Sequence, residues 1–238
     1  MLFLPFRPEL CCTALPYNAP SHIGLMGSVQ NSQRLPFSIA QSDGQALFTY
    51  GTLRAAPHIH FTLSSGLQRR LFQGIAPISH LEDLRISTHW QSKQERVGIM
   101  IQSKLPNTSD TQLVATDETD WSGLIFAQFP HPKYRLILGG GLAIWGDPNR
   151  FASQDDALLF IGQYSAIRES FQIDIAIGGH ALSPQNPSQT SLVVGTQFGK
   201  CHRIKASGNI GLTEFAPRFG FSVGGEYRPK ACTSQSSD

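Results

Sequence analysis

The chain has 238 residues, a formal net charge of +2 and only 15% charged residues, below the roughly 25% of ordinary soluble domains. No basic run interleaves with aromatic residues, which excludes the usual signature of a nucleic-acid binder. No apolar run approaches the ~18 residues of a membrane helix, so a membrane-spanning reading requires strands.

Residues 1–43 hold no steady periodicity and read as an irregular N-terminal arm. Pro5, Arg7, Pro8 and Glu9 break up the apolar residues at its start, and no clear signal peptide is legible there. Cys11, Cys12, Cys201 and Cys232 show neither a zinc spacing nor a disulfide framework, and they read as incidental thiols.

From Gln45 onward a period-two pattern takes over. QALFTYGTL (45–53) is the first strand. PHIHFTLSSGL (57–67) sets Ile59, Phe61 and Leu63 against His58, His60, Thr62 and Ser64. DLRISTHWQ (83–91) sets Leu84, Ile86 and Trp90 against Arg85, Ser87 and His89. RVGIMIQSKL (96–105) places Val97, Ile99, Ile101 and Leu105 opposite Arg96, Gly98, Gln102 and Lys104. A long polar loop leads to WSGLIFAQF (121–129), and PHPK makes the next turn, because proline cannot donate in a ladder.

YRLILGGGLAIW (134–145) carries Tyr134, Leu136, Leu138, Leu142 and Ile144 on one face, with aromatics at both ends. ALLFIGQY (157–164) follows. SFQIDIAIGGHAL (170–182) then alternates Phe171, Ile173, Ile175 and Ile177 with Gln172, Asp174, Ala176, Gly178 and His180. TSLVVGTQFG (190–199) precedes a closing pair within 201–228. There Ile204, Ala206 and Ile210 oppose Arg203, Lys205, Ser207 and Asn209. Phe219, Phe221, Val223 and Tyr227 oppose Arg218, Ser222, Glu226 and Arg228.

Successive side chains of a strand point to opposite faces, so each strand has an apolar and a polar, small-residue face. Strands of roughly ten residues with connections alternating between short and long fit a tilted membrane barrel. The expected fold is all-β: an antiparallel up-and-down transmembrane β-barrel of about 12 strands over residues 44–228, apolar outside and polar inside. About eleven strands are legible, with a twelfth in the irregular LPFSIA region, and residues 229–238 form a disordered tail.

Several segments, in order, resemble the outer-membrane proteins of the phenol-degradation (MetA-pathway) type, a transporter-like barrel family. TYGTLRAAPHIHFTLSSGL stands where the family reads "yGltdrlelglslp", and HLEDLRISTHW is similar to "gfgDlrlglky", with Asp83 at the motif aspartate. KLPNTSD stands at the "lPtGd" loop without its glycine, and GLTEFAPRFGFSVGGEYRP is similar to "gLtegapdfgvslGlsyrf". Pro229 stands where the family ends on an aromatic. The resemblance implies location in the bacterial outer membrane, with the lipid bilayer as partner. It also implies a transporter or channel for small, hydrophobic or aromatic compounds.

The residues expected to line the interior are His58, His60, Arg85, His89, Arg96, Lys104, Asp174, His180, Arg203, Lys205, Glu226 and Arg228. They form either a charged channel wall that selects solutes or an ion-paired plug in a narrow lumen. His58 and His60, two apart on one face, have no third ligand of fitting spacing, so no metal and no cofactor is expected. Gly139–Gly141 lack the lysine and helix of a phosphate loop, and Ser64 and Ser65 lack a nucleophile elbow, so no enzyme signature is present. A soluble β-barrel or sandwich binding protein and an outer-membrane lipase-type enzyme are the alternatives.

Overall fold

The computed structural model describes residues 21–34, 41–72, 76–81, 83–106, 119–144, 157–168, 170–181, 188–214 and 216–229. Thirteen strands follow one another: β1 (His22–Arg34), β2 (Gln41–Ala56), β3 (Ile59–Phe72), β4 (Ile78–Leu81), β5 (Leu84–Gln91), β6 (Val97–Leu105) and β7 (Asp120–Pro130). They continue with β8 (Tyr134–Ile144), β9 (Ala157–Arg168), β10 (Phe171–Ala181), β11 (Gln189–Phe198), β12 (His202–Gly211) and β13 (Phe219–Tyr227).

Every pairing is antiparallel, and consecutive strands are neighbours around the wall. β1 closes the ring against β13, with Ile23 opposite Tyr227 and Asn31 opposite Phe219. β3 pairs with β5 through Ile59–Ser64 and with β4 through Leu67–Arg70, so β4 and β5 share one position in the wall. The result is a closed 12-strand barrel. Closure leaves no free sheet edge.

The first strand corrects the reading of residues 1–43 as an arm: His22–Arg34 is a wall strand, and β2 begins at Gln41. Its alternation is blurred in sequence because Met26 faces inward while Gly27 interrupts the outward row of Ile23, Leu25 and Val29. β1 supplies the twelfth position, and LPFSIA (35–40) lies outside the described residues, as does the tail from 230. A second correction concerns Cys201, in the β11–β12 turn, which is disulfide-bonded. Spacing along the chain could not show a partner brought near only by folding, and that partner lies outside the described residues.

The two ends of the barrel differ. Short turns join β2 to β3, β5 to β6, β7 to β8, β9 to β10 and β11 to β12, all at one end. In the last of these Gly199 adopts φ 97° and donates its amide to the Ser170 carbonyl at 2.8 Å, a left-handed conformation that favours glycine. Longer connections join the strands at the other end.

Outward side chains are apolar on every strand of the ring. Ile23, Leu47, Leu63, Ile99, Ile125, Leu138, Leu158, Ile175, Val194, Ile204 and Val223 are all exposed. Around the short-turn end runs a ring of exposed aromatics, Trp90, Phe129, Tyr134, Tyr164, Phe198 and Tyr227, with Tyr134 and Tyr164 stacked at 6.2 Å. Trp121 and Phe219 are exposed towards the long-loop end. A soluble monomer rarely exposes a contiguous apolar patch beyond a few hundred Å²; here the apolar surface encircles the molecule.

Candidate functional site

The interior has three zones, and each follows from which residues the pleat turns inward. At the short-turn end the hub is Glu226 on β13, whose side chain is fully buried. It forms ion pairs with Lys205 on β12 and with Arg228 just past its own strand. The Tyr50 hydroxyl on β2 donates to it at 3.0 Å, and His22 on β1 approaches to 3.7 Å. Lys205 donates to the Tyr50 hydroxyl at 3.2 Å and lies over its ring, 5.5 Å from the centroid. Four strands, β12, β13, β1 and β2, are thus tied together across the closing seam.

Two further groups stand beside this hub. Arg203 donates to Gln197 at 3.1 Å. Asp174 on β10 accepts from Ser165 at 2.6 Å, Gln172 at 2.7 Å and Gln163 at 3.1 Å, so its carboxylate is held by neutral donors. His60 and His89 also face inward here, directly opposite one another on β3 and β5.

The middle zone is apolar. Met100, Leu124, Phe126, Ile137, Ala143, Ala157, Leu159 and Ile161 form one buried cluster over β6–β9. Met26, Phe48, Ala176 and Val193 are buried on the inner face of other strands. This corrects the expectation of a polar interior throughout. ALLFIGQY is apolar on both faces, and the glycines of β8 are small enough to hide which face takes bulk. The ring of Phe126 occupies the space above Gly98 on β6, where any Cβ would collide with it, and Gly139 on β8 lies against the Phe126 Cβ and an Ile161 methyl.

At the long-loop end Lys104 on β6 lies 2.8 Å from Asp120 and 3.6 Å from Asp83. Arg85 on β5 is opposite Lys104 in the register, and Arg70, opposite Ile78 of β4, is buried farther along β3. Asp83 stands at the break between β4 and β5, a position sequence alone marks only as a strand start. His180 is buried near the end of β10.

Ten of the twelve interior candidates therefore belong to the inner wall or its rim. Two do not. Arg96 is exposed in the β5–β6 turn, its amide donating to Ser92 Oγ at 3.2 Å. His58 lies in the β2–β3 turn, where its carbonyl accepts from the Gln91 amide at 2.9 Å. Both follow the strand alternation in sequence because the turns begin only one residue away. Tyr50, His22, Arg70 and Asp120 were missed: Tyr50 and Asp120 sit among residues that read equally as outer aromatic and loop acid, and His22 falls in the segment read as an arm.

No protein-family model matches the sequence, and no curated protein matches it. In fold the chain is similar to an outer membrane channel from Pseudomonas putida, with TM-score 0.63 and 13% identity over 90% of this chain and 96% of that one. It is also similar to the translocator domain of the autotransporter NalP from Neisseria meningitidis, with TM-score 0.58 and 8% identity over 93% and 92% of the two chains. The beta domain of the Bordetella autotransporter BrkA gives TM-score 0.54 and 12% identity over 89% of this chain and all of that one. At these identities the likeness is one of fold.

Proposed function

We propose that this chain is an outer-membrane β-barrel of the bacterial envelope that binds and passes small compounds with apolar or aromatic surface. The observation that carries the membrane assignment is the encircling apolar exterior on a closed barrel, with aromatics gathered near its ends. Lipid offers no partner to backbone N–H and C=O groups, and a closed barrel satisfies all of them internally. Such an exterior in water would associate, which disfavours the soluble alternatives. The disulfide at Cys201 suits an oxidising compartment such as the periplasmic side of that membrane.

The solute class rests on the interior and on the sequence resemblance to phenol-degradation-type barrels. The buried apolar zone around Phe126, Leu124 and Ile161 supports that class, because an aromatic solute is complementary to it in chemistry. The Glu226 hub favours a closed short-turn end over a freely conducting, ion-selective pore. A buried carboxylate paired with Lys205 and Arg228 neutralises the charges that would otherwise select ions.

Ligand-observed NMR of a simple phenol with the micelle-refolded protein, against empty micelles, tests the assignment. Saturable binding weakened by Phe126→Ser is the expected result. A signal equal to that of empty micelles contradicts it.

A further inference from the structure

The channel reading gives no role to the buried histidines His60 and His89. His60 is the second residue of β3 and His89 the sixth of β5, and the register sets them directly opposite each other on the inner face. They are 1% and 2% exposed. Nδ1 of His60 and both ring nitrogens of His89 have no hydrogen-bond partner. A buried polar atom left without a partner costs about 1–3 kcal/mol, and native proteins keep few of them. His22, by contrast, faces Glu226.

We propose that His60 and His89 bind a divalent transition-metal ion of the zinc class on the inner wall. Directly opposed residues of an antiparallel pair have Cβ atoms about 4.5–5.5 Å apart. Two imidazoles on such a base can converge on one ion, whose zinc–nitrogen bonds of about 2.0–2.1 Å place the donor atoms roughly 3.3 Å apart. Neutral imidazole suits zinc, copper and nickel rather than magnesium or calcium.

The surroundings are polar and offer oxygen. Thr62, next inward from His60 on β3, shares a 2.9 Å hydrogen bond with Thr52, and Gln91, beyond His89 on β5, approaches Gln128 at 3.5 Å. Among the described residues no group of three or more His, Cys, Asp or Glu side chains converges. The ion therefore keeps positions open to water or to an oxygen of a solute, as an exchangeable site does and a closed structural site does not. The site lies close to the β2–β3 turn, within reach of the short-turn mouth.

In the sequence His58 and His60 stand two apart on one strand face, a spacing that by itself carries no metal expectation. Folding separates them, leaving His58 in the turn and giving His60 a partner from β5 instead.

The test uses the untagged full chain refolded in micelles and titrated calorimetrically with Zn²⁺ alone. One ion per chain is expected. His60→Ala and His89→Ala should each weaken binding at least about tenfold, because each removes one of two donor nitrogens, while His58→Ala and His180→Ala leave it unchanged. Should an alanine variant fail to refold, Cu²⁺ bound to the parent protein gives an independent readout, an electron paramagnetic resonance spectrum with splitting from two imidazole nitrogens. No saturable binding, binding that persists in the double variant, a loss caused by His58→Ala, or a copper spectrum without two nitrogens overturns the assignment.

Discussion

The ring of Tyr50 lies across Gly24, and that overlap carries its hydroxyl to Glu226 on the far side of β1. Glu226, Gly24 and Tyr50 form one cross-strand row, and a Cβ at Gly24 would collide with the Tyr50 ring. Glycine here is a slot: its missing side chain lets β2 and β13 touch over β1.

Gly24→Ala should therefore destabilise the barrel by about 1–3 kcal/mol, the usual cost of overpacking. Adding Tyr50→Ala removes the collision, so the two changes should be non-additive in a double-mutant cycle. Urea unfolding in micelles, followed by tryptophan fluorescence, measures both. Strict additivity would show that the ring does not occupy the slot.

Lys205→Met leaves Glu226 with fewer cations inside the wall. Breaking a buried pair in this way costs about 3–5 kcal/mol, and replacing both members with apolar residues recovers much of it. Thermal melts of Lys205→Met and of the pair Lys205→Met with Glu226→Leu should show that order. Glutamate at both Arg203 and Lys205 should lower the melting temperature without reversing ion preference in a planar bilayer. A reversed preference with an unchanged melt would mean an open charged path.

Phe126→Ala removes the largest ring of the apolar zone. The expected result is a loss of roughly 3–5 kcal/mol in stability, together with a conductance above that of the parent protein, since the ring fills the space over Gly98. Lost stability with unchanged conductance would mean that the constriction lies elsewhere.

Much of this was legible in the sequence, and the failures have physical causes. Outward rows such as Ile173, Ile175 and Ile177 were plain because every second residue is large and apolar while Gln172 and Asp174 intervene. β1 was not, because Met26 and Gly27 exchange the character expected of their faces. The strand β4, four residues long, carries too few alternations to register. The inner apolar zone stayed hidden because a strand apolar on both faces gives no sign of which side meets the lumen. Lys205 and Glu226 could be placed on inner faces, but their pairing depends on the β12–β13 register, which strand patterns alone do not specify.

Ile175 and Ala176 separate the two faces of β10: Ile175 is exposed outward, and Ala176 is buried in the inner apolar zone. Arginine at Ile175 should cost about 2–4 kcal/mol if that face meets lipid near the midplane. Arginine at Ala176 should also destabilise, through overpacking of the zone beside it. Transfer of the Ile175→Arg variant from thick to thin bilayers distinguishes a lipid contact, whose cost changes with depth, from an internal one, whose cost does not.

If the apolar belt of this barrel faces lipid, refolding should depend on a membrane-like host. Protein unfolded in urea and diluted into detergent micelles or lipid vesicles should fold to a compact species whose electrophoretic mobility shifts on heating. The same dilution into buffer alone should give aggregates. A monodisperse, folded monomer in detergent-free buffer would contradict a lipid-facing belt.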